Sequence, residues 1–417
     1  MHRDFLFSTR DQTCRNGNPM RAAKLLHDLL DNACQSIDKR LRRTLFEAAE
    51  TLAHCKHLSI ATLGRHLPRK AKVKHTIKCM DRLFGNNSLN KQSEVVYSGM
   101  AAHLLKGQKR PSIIIDWSGL TPCGAFHFLR ASLAVNGRSL TLYDQAYPLS
   151  EYCKERVHKS FLLQLKKLIP TDCKPIVITD AGFRNNWFQA IKELGWNFIG
   201  RVRNKTQYCM KNESMWQPIK SLYTEATMRP TFVGCVQLAK YNPIVCHFHL
   251  VKQEKKYREK RNLIGKKVRC SSSIKHEIRE NEPWLLATSL SIDDFNSNFV
   301  IALYKKRMQI EEAFRDLKNT RNGFGLRHCR SFRVKRLNTA LLIASLAMLV
   351  LWIFGNAAKQ KNMHYSYQAN TEKRSNVLSV ILIGWQVLVR NEIQFKSREL
   401  MAVLTKSIDA ADGRAMR

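Results

Sequence analysis

Apolar positions follow three successive patterns along the 417-residue chain. From Met20 to about residue 105 they recur at helical spacing. Leu25, Leu26, Leu29 and Leu30 share one helix face; Leu41, Leu45, Ala48, Ala49 and Leu52 share a second. Ser59 is placed to cap a short helix, Ile60 to His66, which Pro68 closes. Arg69 to Leu83 then sets Lys70, Lys72, Lys74, His75, Lys78 and Arg82 against Val73, Ile77 and Met80. Two short helices and a basic one are what a helix-turn-helix needs, which makes Lys74, Lys78 and Arg82 candidate DNA contacts. A solvated basic face on an ordinary bundle fits this segment equally well.

Strand patterns begin near Lys109. Pro111 to Asp116 is an isoleucine-rich run ending in an acid, and Pro175 to Asp180 is another. Phe126 to Val135 and Arg138 to Tyr147 are joined by Asn136-Gly137, a strong two-residue hairpin signal. Leu149 to Ile169 and Asn185 to Leu194 read as helices, and Trp196 to Val202 as a strand. The order strand, strand, strand, helix, strand, helix, strand predicts a mixed α/β sheet with flanking helices. A β-rich stretch at about 204–295 follows, including Thr231 to Leu238 and Ile244 to Val251. Helical patterning returns from Asn296 to about Leu317, in the apolar segment Leu337 to Phe354, in Arg374 to Val389, and from Arg398 onward. The expected units are therefore a polar extension at 1–19, a helical domain at 20–105, an α/β domain at 106–354 with its insertion, and a helical region at 355–417.

Charge changes the picture next. Lys and Arg number 70 against 33 for Asp and Glu, a formal charge of +37. Such a balance favours a polyanion, DNA or RNA, because neutralised phosphates release counterions. Lys252 to Arg269 alone holds nine basic residues and two acids; it reads as a flexible solvated loop or as a clamp on DNA. The twelve cysteines are scattered and form no CxxC pair, which points to reduced thiols in a cytoplasmic setting. Cys246, His247 and His249 lie in an alternating stretch, so a half-buried strand accounts for them better than a metal site. The first thirty residues hold no apolar run of signal-peptide type. Leu337 to Phe354 is barely long enough to span a bilayer; one such segment in so basic a chain reads as a buried core helix, with no membrane partner.

The chemistry-bearing residues are Asp116, Asp180 and a run from Tyr304 to Lys318. Two carboxylates on neighbouring strand ends repel unless a cation lies between them, and Mg²⁺ prefers such oxygens. Two metal ions suit an in-line phosphoryl displacement. At about 100° per residue, Tyr304, Arg307, Glu311 and Lys318 fall within a ~60° arc of one helix face. Leu303, Ile310, Phe314 and Leu317 form an adjoining stripe that would pack on the sheet. Glu312 is rotated by about 100° from Glu311, further from that stripe.

These residues resemble the DDE transposases of bacterial insertion sequences, in the insertion sequence four family with its Tyr-x2-Arg-x3-Glu-x6-Lys signature. Tyr304, Arg307, Glu311 and Lys318 match that spacing, and IIIDWS and ITDAGF resemble the contexts of the first two acids. KKRMQIEE, GLRH at 325–328 and QAN at 368–370 resemble the branch carried by a tetracycline-resistance transposon. The resemblance covers roughly Met20 to Ile408, leaving residues 1–19 as an upstream extension. It implies a ribonuclease H-like catalytic domain with a β-rich insertion, a helical DNA-binding domain before it and a helical region after it. It implies cut-and-paste transposition: hydrolysis of one strand, hairpin formation, reopening, and joining to target DNA. Asp116, Asp180 and Glu311 would bind two Mg²⁺, with Mn²⁺ able to substitute. Tyr304, Arg307 and Lys318 would contact phosphates, and Trp284 would stack on a flipped base; a strand tryptophan in the insertion's core is the plainer reading of Trp284. The partners implied are the inverted repeats at the element ends, target DNA, and a second copy in a synaptic complex. The competing reading is a DNA-binding protein without activity, or an inactive relic; all three carboxylates are nonetheless present.

Overall fold

The computed structural model describes residues 22–135, 137–254, 270–271, 278–279, 281–391 and 395–413. The extension at 1–19 and most of the basic stretch Lys252 to Arg269 lie outside the described residues. Helices α1 (Ala22–Leu30), α2 (Lys39–Cys55), α3 (Ile60–His66), α4 (Val73–Phe84) and α5 (Asn87–Leu104) come first. Their starts follow local chemistry. The Asp38 carboxylate accepts from the backbone N–H groups of Arg40 and Leu41, both at 3.0 Å, and Ser59 Oγ accepts from Thr62 N–H. The basic helix begins at Val73 rather than Arg69, because Arg69 is drawn off to bond Glu47 on α2 at 2.7 Å.

Strands β1 (Ser112–Gly119), β2 (Phe126–Ala134) and β3 (Ser139–Pro148) follow. The Gly137 φ of 73° supplies the left-handed position that a tight hairpin needs between β2 and β3. Helix α6 spans Glu155–Leu168; it starts later than its apolar pattern suggests, because Cys153 takes a φ of 58° and interrupts the chain there. Then come β4 (Ile176–Thr179), α7 (Asn185–Glu193) and β5 (Asn197–Val202). The remaining strands are β6 (Gln207–Met210), β7 (Gln217–Pro218), β8 (Thr231–Leu238), β9 (Ile244–Val251) and β10 (Trp284–Thr288). All ten join one sheet, in the order β3-β2-β1-β4-β5-β10-β9-β8-β6-β7. Within it, β1, β4 and β5 are parallel, while β2 and β3 run antiparallel. This mixed sheet with flanking helices fits a ribonuclease H-like fold. Strand β9 absorbs the Cys246-His247-His249 run: His249 is fully buried, with Nδ1 2.9 Å from Ser297 Oγ, and His247 Nδ1 lies 2.6 Å from the Leu290 carbonyl.

The chain ends in α8 (Ser297–Lys305), α9 (Met308–Lys318), α10 (Val334–Gln360), α11 (Val380–Arg390) and α12 (Ser397–Gly413). Helix α10 is long and apolar enough to cross a membrane, yet 94% of its apolar window is buried inside the fold. It packs on β3, α2, α5 and α11. Gly355 and Gly384 let the backbones of α10 and α11 touch, since a Cβ on Gly384 would overlap the Leu351 carbonyl. Gly384→Ala is therefore expected to cost about 1–3 kcal/mol by overpacking, read as a lower thermal midpoint. An unchanged midpoint would mean that the two helices separate freely.

Candidate active site

Sheet register sets the first two acids side by side. β1 pairs with β4 only as far as Ile114 and Ile178. Asp116 and Asp180 each lie two residues beyond that last pair, so they stand level on strands that sit ~4.8 Å apart. Asp180 follows the end of β4, as its pattern suggests. Asp116 does not end its strand: β1 runs on to Gly119, because residues 117–119 keep pairing with β2. The opening beside Asp116 comes from β4 stopping short. Backbone donors fix both carboxylates, Trp117 N–H to Asp116 Oδ1 and Gly182 N–H to Asp180 Oδ1, each at 2.8 Å. Burial, together with the Asp180 charge, pushes the Asp116 carboxyl up to about 7, and Arg307 opposes the rise.

Register also places Asp116, Arg130 and Asp144 in one row across β1, β2 and β3. Arg130 turns away from Asp116 and binds Asp144 with two hydrogen bonds, 2.7 and 2.6 Å, where the side chains are 2% and 0% exposed.

The run carrying the third acid departs from one straight helix. Between α8 and α9, Lys306 N–H bonds Leu303 O, Arg307 N–H bonds Tyr304 O, and Gln309 N–H bonds Lys306 O. These i to i+3 bonds wind the turn at three residues per turn, which rotates residues on either side apart. Tyr304 consequently lies buried at 3% exposure, while the Glu311 side chain is 44% exposed. Arg307, in the turn itself, joins the acids: its guanidinium is 2.7 Å from Glu311 Oε1 and 3.7 Å from Asp116 Oδ2. Lys318 Nζ donates to Ser118 Oγ, two residues beyond Asp116, at 2.5 Å. Burial, with Arg327 and Arg130 nearby, pushes Lys318 down to about 8. Glu312 binds arginines rather than joining the two aspartates. It is less exposed than Glu311, at 30%, and turns to Arg315 at 2.7 Å and to Arg138 beside β3 at 3.9 Å.

Trp284 opens β10, half-buried and edge-on to Tyr304 with centroids 5.0 Å apart. Arg201 lies 5.9 Å from the Trp284 ring, held by the carbonyls of Glu282 and Pro283. Lys74, Lys78 and Arg82 stand exposed on α4, which packs on α2, α3 and α10 rather than coming from the sheet that supplies the acids. Among the described residues no three His, Cys, Asp or Glu groups lie close enough to cage an ion directly. The donor set still suits a hard divalent cation: two level, half-buried carboxylates, with a third joined to Asp116 through Arg307.

The model of the family described as Transposase DDE domain matches residues 107–349, a stretch that contains every one of these sheet and signature residues. The chain belongs to the DDE transposase domain family. It is a transposase, acting in DNA transposition, and DDE transposases generally use divalent metal ions. No curated protein sequence matches the chain. Among solved structures the transposase is similar to the piggyBac transposase synaptic complex with hairpin DNA. The identity is 10% over 93% of this chain and 84% of that one, with a TM-score of 0.40, too slight a likeness to carry any residue across.

An aromatic wall beside the transposase's acids escaped the sequence reading. Trp117 donates its indole N–H to His158 Nε2 at 3.0 Å and meets Tyr147 and Tyr152 edge-on. Phe183 and Trp187 extend the wall from the Asp180 side. The aromatic next to Asp116 and the one three places after Asp180 were the available signals. Tyr152 gave none, because its position was read as helix.

Proposed function

We propose that this transposase moves its element by cut-and-paste, with hydrolysis of one strand, hairpin formation, reopening and joining to target DNA. The observation that carries the reading is the level placement of Asp116 and Asp180, with Glu311 reaching them through Arg307. The Tyr304, Arg307, Glu311 and Lys318 spacing supports membership of the insertion sequence four family. Asp116, Asp180 and Glu311 would hold two Mg²⁺, or Mn²⁺ in their place. Bound there, the ions would supply a nucleophile and neutralise the leaving oxygen. Arg307 and a divalent ion compete for the same carboxylates, so this guanidinium is at hand for a phosphate. Lys318, anchored on Ser118, holds a cation on the other flank of Asp116. Trp284 keeps one part of its ring exposed, and a flipped base would stack there with Tyr304 behind it. The exposed face of α4, with Lys74, Lys78 and Arg82, would read the element ends. Two ends and two copies of the chain would form the synaptic complex in a bacterial cytoplasm.

Incubation with the element's own end DNA and Mg²⁺ tests this reading. Nicks, then hairpins, then double-strand breaks are expected. Trp284→Ala is expected to slow hairpin formation by about tenfold more than first-strand nicking, the worth of one stacked base. Binding to ends without any nick in Mg²⁺ or Mn²⁺ would make the chain a DNA-binding relic. Equal slowing of both steps by Trp284→Ala, with a lower thermal midpoint, would leave Trp284 a core residue.

A further inference from the structure

We propose that the groove lined by Gly182, Arg184, Lys205, Lys240 and Tyr241 is a second DNA site, one that holds an unpaired strand beside the carboxylate pair. The proposal rests on the reading of this chain as a DNA-cutting enzyme and adds where the strand travels. The groove has a volume of about 910 Å³, and its lining includes Ala181 and Gly182, immediately after Asp180. Helix α7, the β5–β6 turn and the β8–β9 turn form its sides.

Its lining is cationic. Arg184, Lys205 and Lys240 are exposed, and among the described residues no carboxylate pairs with any of them. The acid in the lining, Glu155, is already held by Lys159 at 3.0 Å and Asn186 at 2.6 Å. Three cations on one groove beside a cleavage centre suit the phosphates of a strand.

The groove is also built, not a gap between loops. Asn185 donates to the Asn242 carbonyl, Asn242 Nδ2 donates to Asn186 Oδ1 at 2.9 Å, and Lys192 reaches the Val245 carbonyl at 3.3 Å. These bonds pin the turn bearing Lys240 and Tyr241 onto α7. Trp187 lines the groove at 2% exposure, and among the described residues its indole N–H has no partner. No side chain caps the first turn of α7, so its N–H groups add to the same attraction.

Tyr241 decides the form of the strand. Its ring is 89% exposed on the groove, in the turn that Asn185 and Asn186 hold. Bases stack on such a ring only when their faces are free, and in a duplex they are already stacked.

The test titrates the full-length protein, without divalent metal, against a fluorescent thymidine-run single strand and a duplex of equal length over a range of salt. For Arg184→Gln/Lys205→Gln/Lys240→Gln, the single-strand slope of log K against log salt is expected to become shallower by about 2, at ~0.7 per phosphate. The duplex slope stays as it was. Lys240→Gln alone gives about one third of that change, which keeps the test open if the triple variant folds poorly. Tyr241→Ala is expected to weaken single-strand binding by about five- to a hundredfold with the slope unchanged. Unchanged single-strand affinity and slope in these variants would overturn the proposal, and equal losses on both DNA forms would overturn the unpaired strand. Because no cleavage is read, failure here leaves the carboxylate assignment standing, and a cleavage-dead protein can still pass.

Discussion

Asp180→Asn is expected to abolish strand cleavage while binding to element ends stays close to the parent's. Asp180 and Asp116 face each other on adjacent parallel strands, and burial makes their shared negative charge hard to bear without a cation. Removing one carboxylate removes a ligand from the divalent ions, and several kcal/mol of transition-state stabilisation go with it. At ~4 kcal/mol that is about a thousandfold in rate. Asp116→Asn belongs in the same experiment and should match it. Glu311→Gln should do likewise, because Glu311 joins Asp116 through the Arg307 guanidinium. Glu312→Gln should keep substantial activity, since Glu312 spends its charge on Arg315 and Arg138. A single-turnover assay on end DNA with matched binding decides it. Normal nicking by either aspartate variant in Mg²⁺ would remove the acids from the chemistry. An active Glu311→Gln beside a dead Glu312→Gln would exchange the two glutamates.

Asp144→Ala is expected to destabilise the fold by about 3–5 kcal/mol, because it strands Arg130 as a buried, unpaired charge. Among the described residues Arg130 pairs with no other acid. Ser345 on α10 donates to Asp144 Oδ2 at 3.1 Å, so the loss also frees the central helix from the sheet. Urea denaturation measures the effect. The double variant Arg130→Met/Asp144→Leu should recover most of the stability, since a packed apolar pair replaces a buried ion pair at little cost. A single-variant loss under 1 kcal/mol would show that water reaches the pair.

Much of this arrangement was legible in the sequence. The buried runs Ile113 to Ile115 and Ile176 to Ile178 announce two inner strands, because a strand covered on both faces cannot afford polar residues. Ser59 and Pro68 bracket α3 as local chemistry requires. What was not legible depends on partners far along the chain. Whether β1 ends at Asp116 is decided by β2 and β4, not by the residues around it. The break at Lys306 and Arg307 leaves no mark, since both residues suit a helix and only the hydrogen-bond spacing changes. That break changes the turn between Tyr304 and Glu311, while Tyr304, Glu311 and Asp116 all lie close enough to act on the Arg307 guanidinium. Helix α5 went unread although Leu89, Val96, Met100 and Leu104 are all buried in it. Arg130 and Asp144 carry no signal of their own in the sequence, and only the register sets them opposite each other.

The strands after β5 return through β10, which hydrogen-bonds directly to β5, Val202 opposite Leu285. Strand β10 therefore seals a seam. Without it, β5 would present a bare row of backbone N–H and C=O groups, the template on which foreign chains add strands. A shortened protein ending at β5 would carry a sticky edge into solution, and its inclusion bodies would report the lost seam before any assay could report lost activity.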